Sequence, residues 1–190
     1  MSKISTVSKY VRILLVTIAS LQLMSHFLLV FFSEYKMGLN QLTIDFTLFS
    51  SKISHQTNNS WQEVSQALEA EGFNSLVILG SMQLIPYLLI YLFLFKLFTL
   101  YQHGQVFTLA NSNCFKNIAL SLLAWIPINL LYPIVVTLFI RLTGLSESMA
   151  IHISLGSREF IYLLSGLIIY VMAWIMSDAS KLHQEQELVI

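Results

Sequence analysis

Gln22 and His26 stand four residues apart within an apolar stretch, so on a helix they share one face. Gln83 and Asn129 lie in two further apolar stretches. Amides and an imidazole among apolar helices can line a polar interior that binds a small ligand, and His26 could pass a proton through it. The same groups can instead bond from helix to helix and hold the helices together, each contact contributing roughly 0.6–2 kcal/mol. No Asp or Glu lies deep in any apolar stretch, which argues against proton or ion coupling, where such a carboxylate usually carries the charge.

Catalytic and metal chemistry find little support elsewhere. His55, His103, His152 and His183 are scattered through polar segments, with no His-x-x-x-His or Cys-x-x-Cys spacing. Glu185 and Glu187 beside His183 carry ligating atoms, but residues two apart on a helix point in different directions, which suits a solvated face. Cys114 is the only cysteine, so an intrachain disulfide and a thiolate metal cluster are both excluded. A redox role for it would need a neighbour that lowers its pKa, and Lys116 is the nearby cation. There is no Gly-rich phosphate loop and no nucleophile elbow. These residues predict a non-enzymatic protein without metal or cofactor.

Composition says what kind of scaffold positions these side chains. Of the residues, 56% are hydrophobic and 11% charged, against roughly 25% charged in a soluble domain. Ten basic and ten acidic residues cancel, leaving no polycationic face for nucleic acid or anionic lipid. A helix crossing the hydrocarbon needs roughly 20 apolar residues. Four stretches meet that need: Val11 to Phe32, Leu76 to Phe95, Ile118 to Ile140, and Phe160 to Met176. The last continues as helix toward Leu188. Backbone amides in lipid must pair within their own segment, and no period-two alternation runs through these stretches. The chain is predicted to be one all-α membrane domain, a four-transmembrane-helix bundle. Lys3, Lys9 and Arg12 precede a first run too long for a signal-peptide core and lacking a small-x-small cleavage site, so it reads as a retained anchor.

Basic residues set the expected orientation. With the N-terminus inside, the cytoplasmic segments hold Lys3, Lys9, Arg12, Lys96, Lys116 and Lys181, while the other side holds Lys36, Lys52, Arg141 and Arg158. Both termini are then cytoplasmic, and the outer loops run over about 33–72 and 141–159. In the first loop, Leu42, Ile44, Phe46 and Leu48 alternate with polar residues as in a strand. Ser60-Trp61-Gln62-Glu63 reads as a capping box opening a short helix, with Trp61, Val64 and Leu68 on one face. The second loop offers Met149, Ile151, Ile153 and Leu155 in alternation, and pairing the two strands would form a small β-element joining the loops. Asn58-Asn59-Ser60 fits a glycosylation sequon, relevant only in a eukaryotic secretory pathway. Pro86, Pro127 and Pro133 each remove a helical hydrogen bond and fit helices around one another or serve gating. Gly80 with Ser81, and Ser165 with Gly166, suggest close helix contact.

On the cytoplasmic side, Gly104 ends the second long helix, and Thr108 is the expected N-cap of the next segment, with Asn111 and Asn113 ahead of the third span. Here Lys96-Leu-Phe-Thr-Leu-Tyr-Gln-His-Gly-Gln-Val-Phe-Thr108, followed by Asn111 and an apolar span, looks like a passage Leu-x-x-Tyr-x-x-Gly-x-x-Phe-Ser/Thr-x-x-Asn. With the tail Ala179-Ser-Lys-Leu182-His-Gln-Glu185-Gln-Glu187-Leu188-Val-Ile190, this passage resembles the uncharacterised bacterial four-span membrane family, domain-of-unknown-function family 2975. Ala179 stands where that family usually has glycine, and Val189 where it has threonine. The resemblance covers about Leu76 to the C-terminus, and the first span and loop match in layout only.

No reaction comes with the family, but its members look like partners of small cytoplasmic helix-turn-helix regulators. The resemblance therefore implies a bacterial inner-membrane sensor or modulator that binds a partner. Tyr101, Gly104, Phe107, Leu182, Glu185 and Leu188 are then the candidate docking residues, with a second copy of the chain as a further candidate partner. The alternative is that the connector merely turns the chain and packs on the tail. The rival function is a small transporter or ligand carrier using Gln22, His26, Gln83 and Asn129.

Overall fold

The computed structural model describes residues 3–36, 39–45, 50–56, 59–144 and 156–187. Its helices are α1 (Lys3–Phe32), α2 (Asn59–Ala70), α3 (Ser81–Gln102), α4 (Leu109–Leu142) and α5 (Ser157–Glu187), and a π-helical turn at Leu76–Gly80 leads into α3. Its strands are β1 (Glu34–Lys36), β2 (Leu39–Asp45) and β3 (Ser50–Gln56). The turn with α3, and α1, α4 and α5, give four helices long and apolar enough to cross a membrane. Each outruns its apolar stretch. Polar residues such as Lys3 and Asn111 continue the helical ladder because its hydrogen bonds are internal, whatever the side chain. Enclosure differs between helices: 33% of the apolar window of α4 is buried in the protein, against 6% for α1.

The chain divides into two compact units, one of Met1–Ser20, Pro86–Ile126 and Ser157–Ile190, the other of Leu21–Ile85 and Pro127–Gly156. In the first unit α1 meets α3 where the Arg12 guanidinium lies 4.5 Å over the Phe95 ring and donates to the Gln102 side-chain oxygen. Tyr87 and Tyr162 share a hydrogen bond of 2.9 Å between α3 and α5. The buried Ser112 hydroxyl donates to the Ala173 carbonyl at 2.7 Å, joining α4 to α5. Those two helices approach so closely at Gly166 that a β-carbon there would stand 2.9 Å from Leu123 side-chain atoms. The expected close contact at Ser165-Gly166 is thus found, with the glycine as the small member.

In the second unit β1, β2 and β3 form an antiparallel sheet in sequence order, with Tyr35 opposite Asn40 and Leu42 opposite Ile53. β1 covers one edge of β2 at Leu39–Gln41, and β3 covers the other from Leu39 to Asp45. The strand expected around Met149 to Leu155 lies outside the described residues, as do Phe46, Leu48 and Asn58. α2 begins at Asn59, one residue before the expected cap. Its apolar face is the expected one, with Trp61, Val64 and Leu68 all buried. Gly72, at φ 80°, ends it in the left-handed conformation, while Phe73 N–H reaches back to the Leu68 carbonyl at 2.8 Å.

Asn74 then serves two helix ends. Its side-chain oxygen accepts from the N–H groups of Leu76 and Val77, and its amide donates at 3.0 Å to the Val30 carbonyl in the last turn of α1. Both sets of groups lack intrahelical partners by position, which is why one amide can satisfy both.

Candidate functional site

Within the second unit, α2 is fastened to α4 through proline chemistry. Pro133 has no N–H, so the helical hydrogen bond that would end on the Asn129 carbonyl is missing. The Trp61 indole N–H supplies a donor to that carbonyl at 3.0 Å, and the indole is fully buried. One residue before the proline, the Tyr132 ring packs against Trp61 at a centroid distance of 5.4 Å. The Tyr132 hydroxyl donates at 2.8 Å to the Ile78 carbonyl, inside the π-helical turn. The irregular backbone of two helices is therefore held by the side chains of one aromatic pair.

The π-helical turn carries the second polar contact. Ser81 N–H closes back on the Leu76 carbonyl, five residues earlier. The Ser81 hydroxyl lies 3.1 Å from His26 Nε2, linking α1 to the start of α3. Of the residues expected to line a polar interior, His26 thus bonds to a neighbouring helix, and the backbone of Asn129 bonds to α2. Gln22 and Gln83 are half-buried on α1 and α3, while Asn129 is buried. The contacts at His26 and Asn129 tie different pairs of elements, α1 with α3 and α2 with α4. Ser81, Trp61, Tyr132 and Asn74 complete this set. Only Trp61 and Ser81 drew attention in the sequence, and for packing. A proline four residues after a polar helix position, as Pro133 follows Asn129, was the available signal for a carbonyl needing a foreign donor.

The connector and tail belong to the first unit. α3 ends at Gly104, whose φ of 77° and the Gln105 N–H to Leu100 carbonyl bond of 3.0 Å close the helix. Thr108 is the N-cap expected: its hydroxyl accepts from Asn111 N–H at 3.3 Å. Asn111 itself is fully buried, and its amide donates to the Val106 carbonyl, folding the connector onto the first turn of α4. Tyr101 is half-buried and stands edge-on to Phe98 at 5.7 Å. Phe107 is 50% exposed and Leu182 61% exposed. Glu185 is exposed, and Leu188 lies outside the described residues. Beside them Lys181 pairs with Asp178 at 3.2 Å on the surface of α5.

Two clefts open in this first unit. One, of about 320 Å³, lies between α4 and α5 and is lined by Ser112, Lys116, Tyr170 and Trp174 among others. The other, of about 390 Å³, lies between α1 and α3 and includes Lys9, Arg12, Phe95 and Gln102. Among the described residues no three His, Cys, Asp or Glu side chains come together as a metal would require.

Four apolar helices of spanning length among the described residues, with polar contacts made from helix to helix, define a multi-pass α-helical membrane protein. Residues 47–190 match the family described as Protein of unknown function (DUF2975), and the chain belongs to that family. The match starts within the first loop, earlier than Leu76, and takes in α2, the connector and the tail. Nothing matches the chain among curated proteins or among solved structures.

Proposed function

We propose that this is a non-enzymatic bacterial inner-membrane protein that senses or transmits a signal by binding a partner, with a small cytoplasmic helix-turn-helix regulator as the partner class. The observation that carries this reading is the end of α5. The helix runs on to Glu187, past its apolar part, and holds Leu182 61% exposed beside Asp178, Lys181 and Glu185. An apolar residue kept in a charged helical surface is a natural anchor for a partner groove. Phe107, also exposed, offers a second anchor from the connector of the same unit. In the second unit, the Trp61 to Asn129 bond gives a change in the outer loop a direct purchase on α4, which also begins at that connector.

The test is affinity capture of the solubilised protein from its native host, comparing wild type, a tail deletion and the Leu182→Asp, Leu188→Asp variant. Recovery of a helix-turn-helix protein by wild type and its loss from both variants is the expected result. Equal recovery from all three, or recovery of no such regulator, removes the docking proposal. The rival reading, a small transporter or ligand carrier, draws its support from His26 beside the π-helical turn, since such turns are frequent at functional sites. Replacing His26 and Gln83 with apolar residues should stop solute movement under that reading and leave partner capture intact.

A further inference from the structure

The cleft between α1 and α3 is built differently from a packing defect. Lys9 and Arg12 are three residues apart on α1, so both cations reach the same face of the helix. Arg12 is not a loose surface side chain: stacking on Phe95 and bonding to Gln102 fix its guanidinium. Its Nε is buried without a hydrogen-bond partner. Among the described residues no acid lines the cleft. Ile13 and Val16, one and two turns along from Lys9, are apolar, more than half exposed, and lead away from the cations along α1.

We infer that this cleft binds the phosphodiester headgroup of an anionic phospholipid, with one acyl chain lying along Ile13 and Val16. The charge complementarity is local, which is why the balanced totals of the sequence conceal it: two cations and no acid face a cleft of about 390 Å³. A held guanidinium presents its terminal N–H groups not taken by Gln102 to phosphate oxygens at little ordering cost, and Lys9 adds a mobile point charge. Apolar residues beside the cations select a lipid over a free anion, because a soluble phosphate gains nothing from Ile13 and Val16. The inference is independent of partner docking at Phe107 and Leu182.

Native mass spectrometry of the full chain, released from micelles doped with equal amounts of phosphatidylglycerol and phosphatidylcholine of matched chains, tests it. Wild type should retain phosphatidylglycerol preferentially, and Lys9→Gln should lower that preference about five-fold, the effect of one cation near a headgroup. Lys9 is exposed, so this variant leaves the fold intact. Lys116→Gln, which removes an exposed cation outside the cleft, should change nothing. Equal retention of the two lipids by wild type overturns the inference. So does an equal loss from Lys9→Gln and Lys116→Gln, which would mean diffuse surface charge. Abolition of the preference by millimolar inorganic phosphate would assign the cleft to a free anion and overturn the lipid.

Discussion

The indole nitrogen of Trp61 stands 3.0 Å from the carbonyl oxygen of Asn129, and four residues after Asn129 comes Pro133. The two facts explain each other. A proline in the interior of α4 withholds a backbone donor, and a short helix from the first loop brings one in its place. Pro133 is buried, so water is not at hand to do the same. The loop helix is thereby positioned by the backbone of a spanning helix rather than by apolar contact alone.

Trp61→Phe keeps a ring against Tyr132 and deletes the donor. It should destabilise the protein by about 1–3 kcal/mol, the usual cost of removing a buried hydrogen-bond partner. Pro133→Ala restores a main-chain N–H four residues after Asn129. The cost of Trp61→Phe should therefore shrink in the Pro133→Ala background. Unfolding in mixed micelles, run as a double-mutant cycle, measures that coupling. Equal costs in the two backgrounds would mean that the indole contributes only packing.

Gly166 poses a contest between two effects of known size. In an isolated helix Gly→Ala gains about 0.8–1 kcal/mol from propensity. Here the new methyl would meet Leu123 Cγ and Cδ2 at 2.9 Å. Overpacking of that kind costs about 1–3 kcal/mol, so Gly166→Ala should be neutral to destabilising overall. Removing the obstacle with Leu123→Ala should turn the same substitution stabilising, as read by the same unfolding measurement. A stabilising Gly166→Ala in the wild-type background would show that α4 and α5 are not in contact at this point.

The spans were legible in the sequence because a long apolar run almost without charge has few other uses, and the four expected stretches all fall inside the helices found. Their ends were not, since Lys3 to Tyr10 and Leu109 to Asn117 are helical without being apolar. Gly104 and Thr108 were legible because left-handed backbone and an N-cap hydroxyl are demands of single residues. β1 and β3 were missed: Glu34–Lys36 is too short to show a period, and Ser50–Gln56 has Ile53 as its sole aliphatic residue. The roles of Trp61 and Asn74 depend on carbonyls 68 and 44 residues away along the chain. Local pattern does not carry such pairings.

The orientation of the spans is a prediction on which the docking proposal depends. The first unit contains Lys3, Lys9, Arg12, Lys96, Lys116 and Lys181, with Arg158 at the opposite end of α5 from Lys181, and the start of α1 is the densest cluster among them. Lys and Arg near helix ends bias those ends to the cytoplasm, so both termini and the connector should face inward. Cys114 is buried and is removed as Cys114→Ala, which leaves a background without thiols. Single cysteines introduced at the exposed positions Lys3, Glu63 and Glu185 then report on side. An impermeant maleimide applied to intact spheroplasts should label Glu63→Cys, and should label Lys3→Cys and Glu185→Cys only after lysis. The reverse pattern would put Phe107 and Leu182 outside the cell, where no cytoplasmic regulator could reach them. The cleft at Lys9 and Arg12 would then meet lipid of the outer leaflet, with its headgroup chemistry unchanged, so the docking proposal alone would fall.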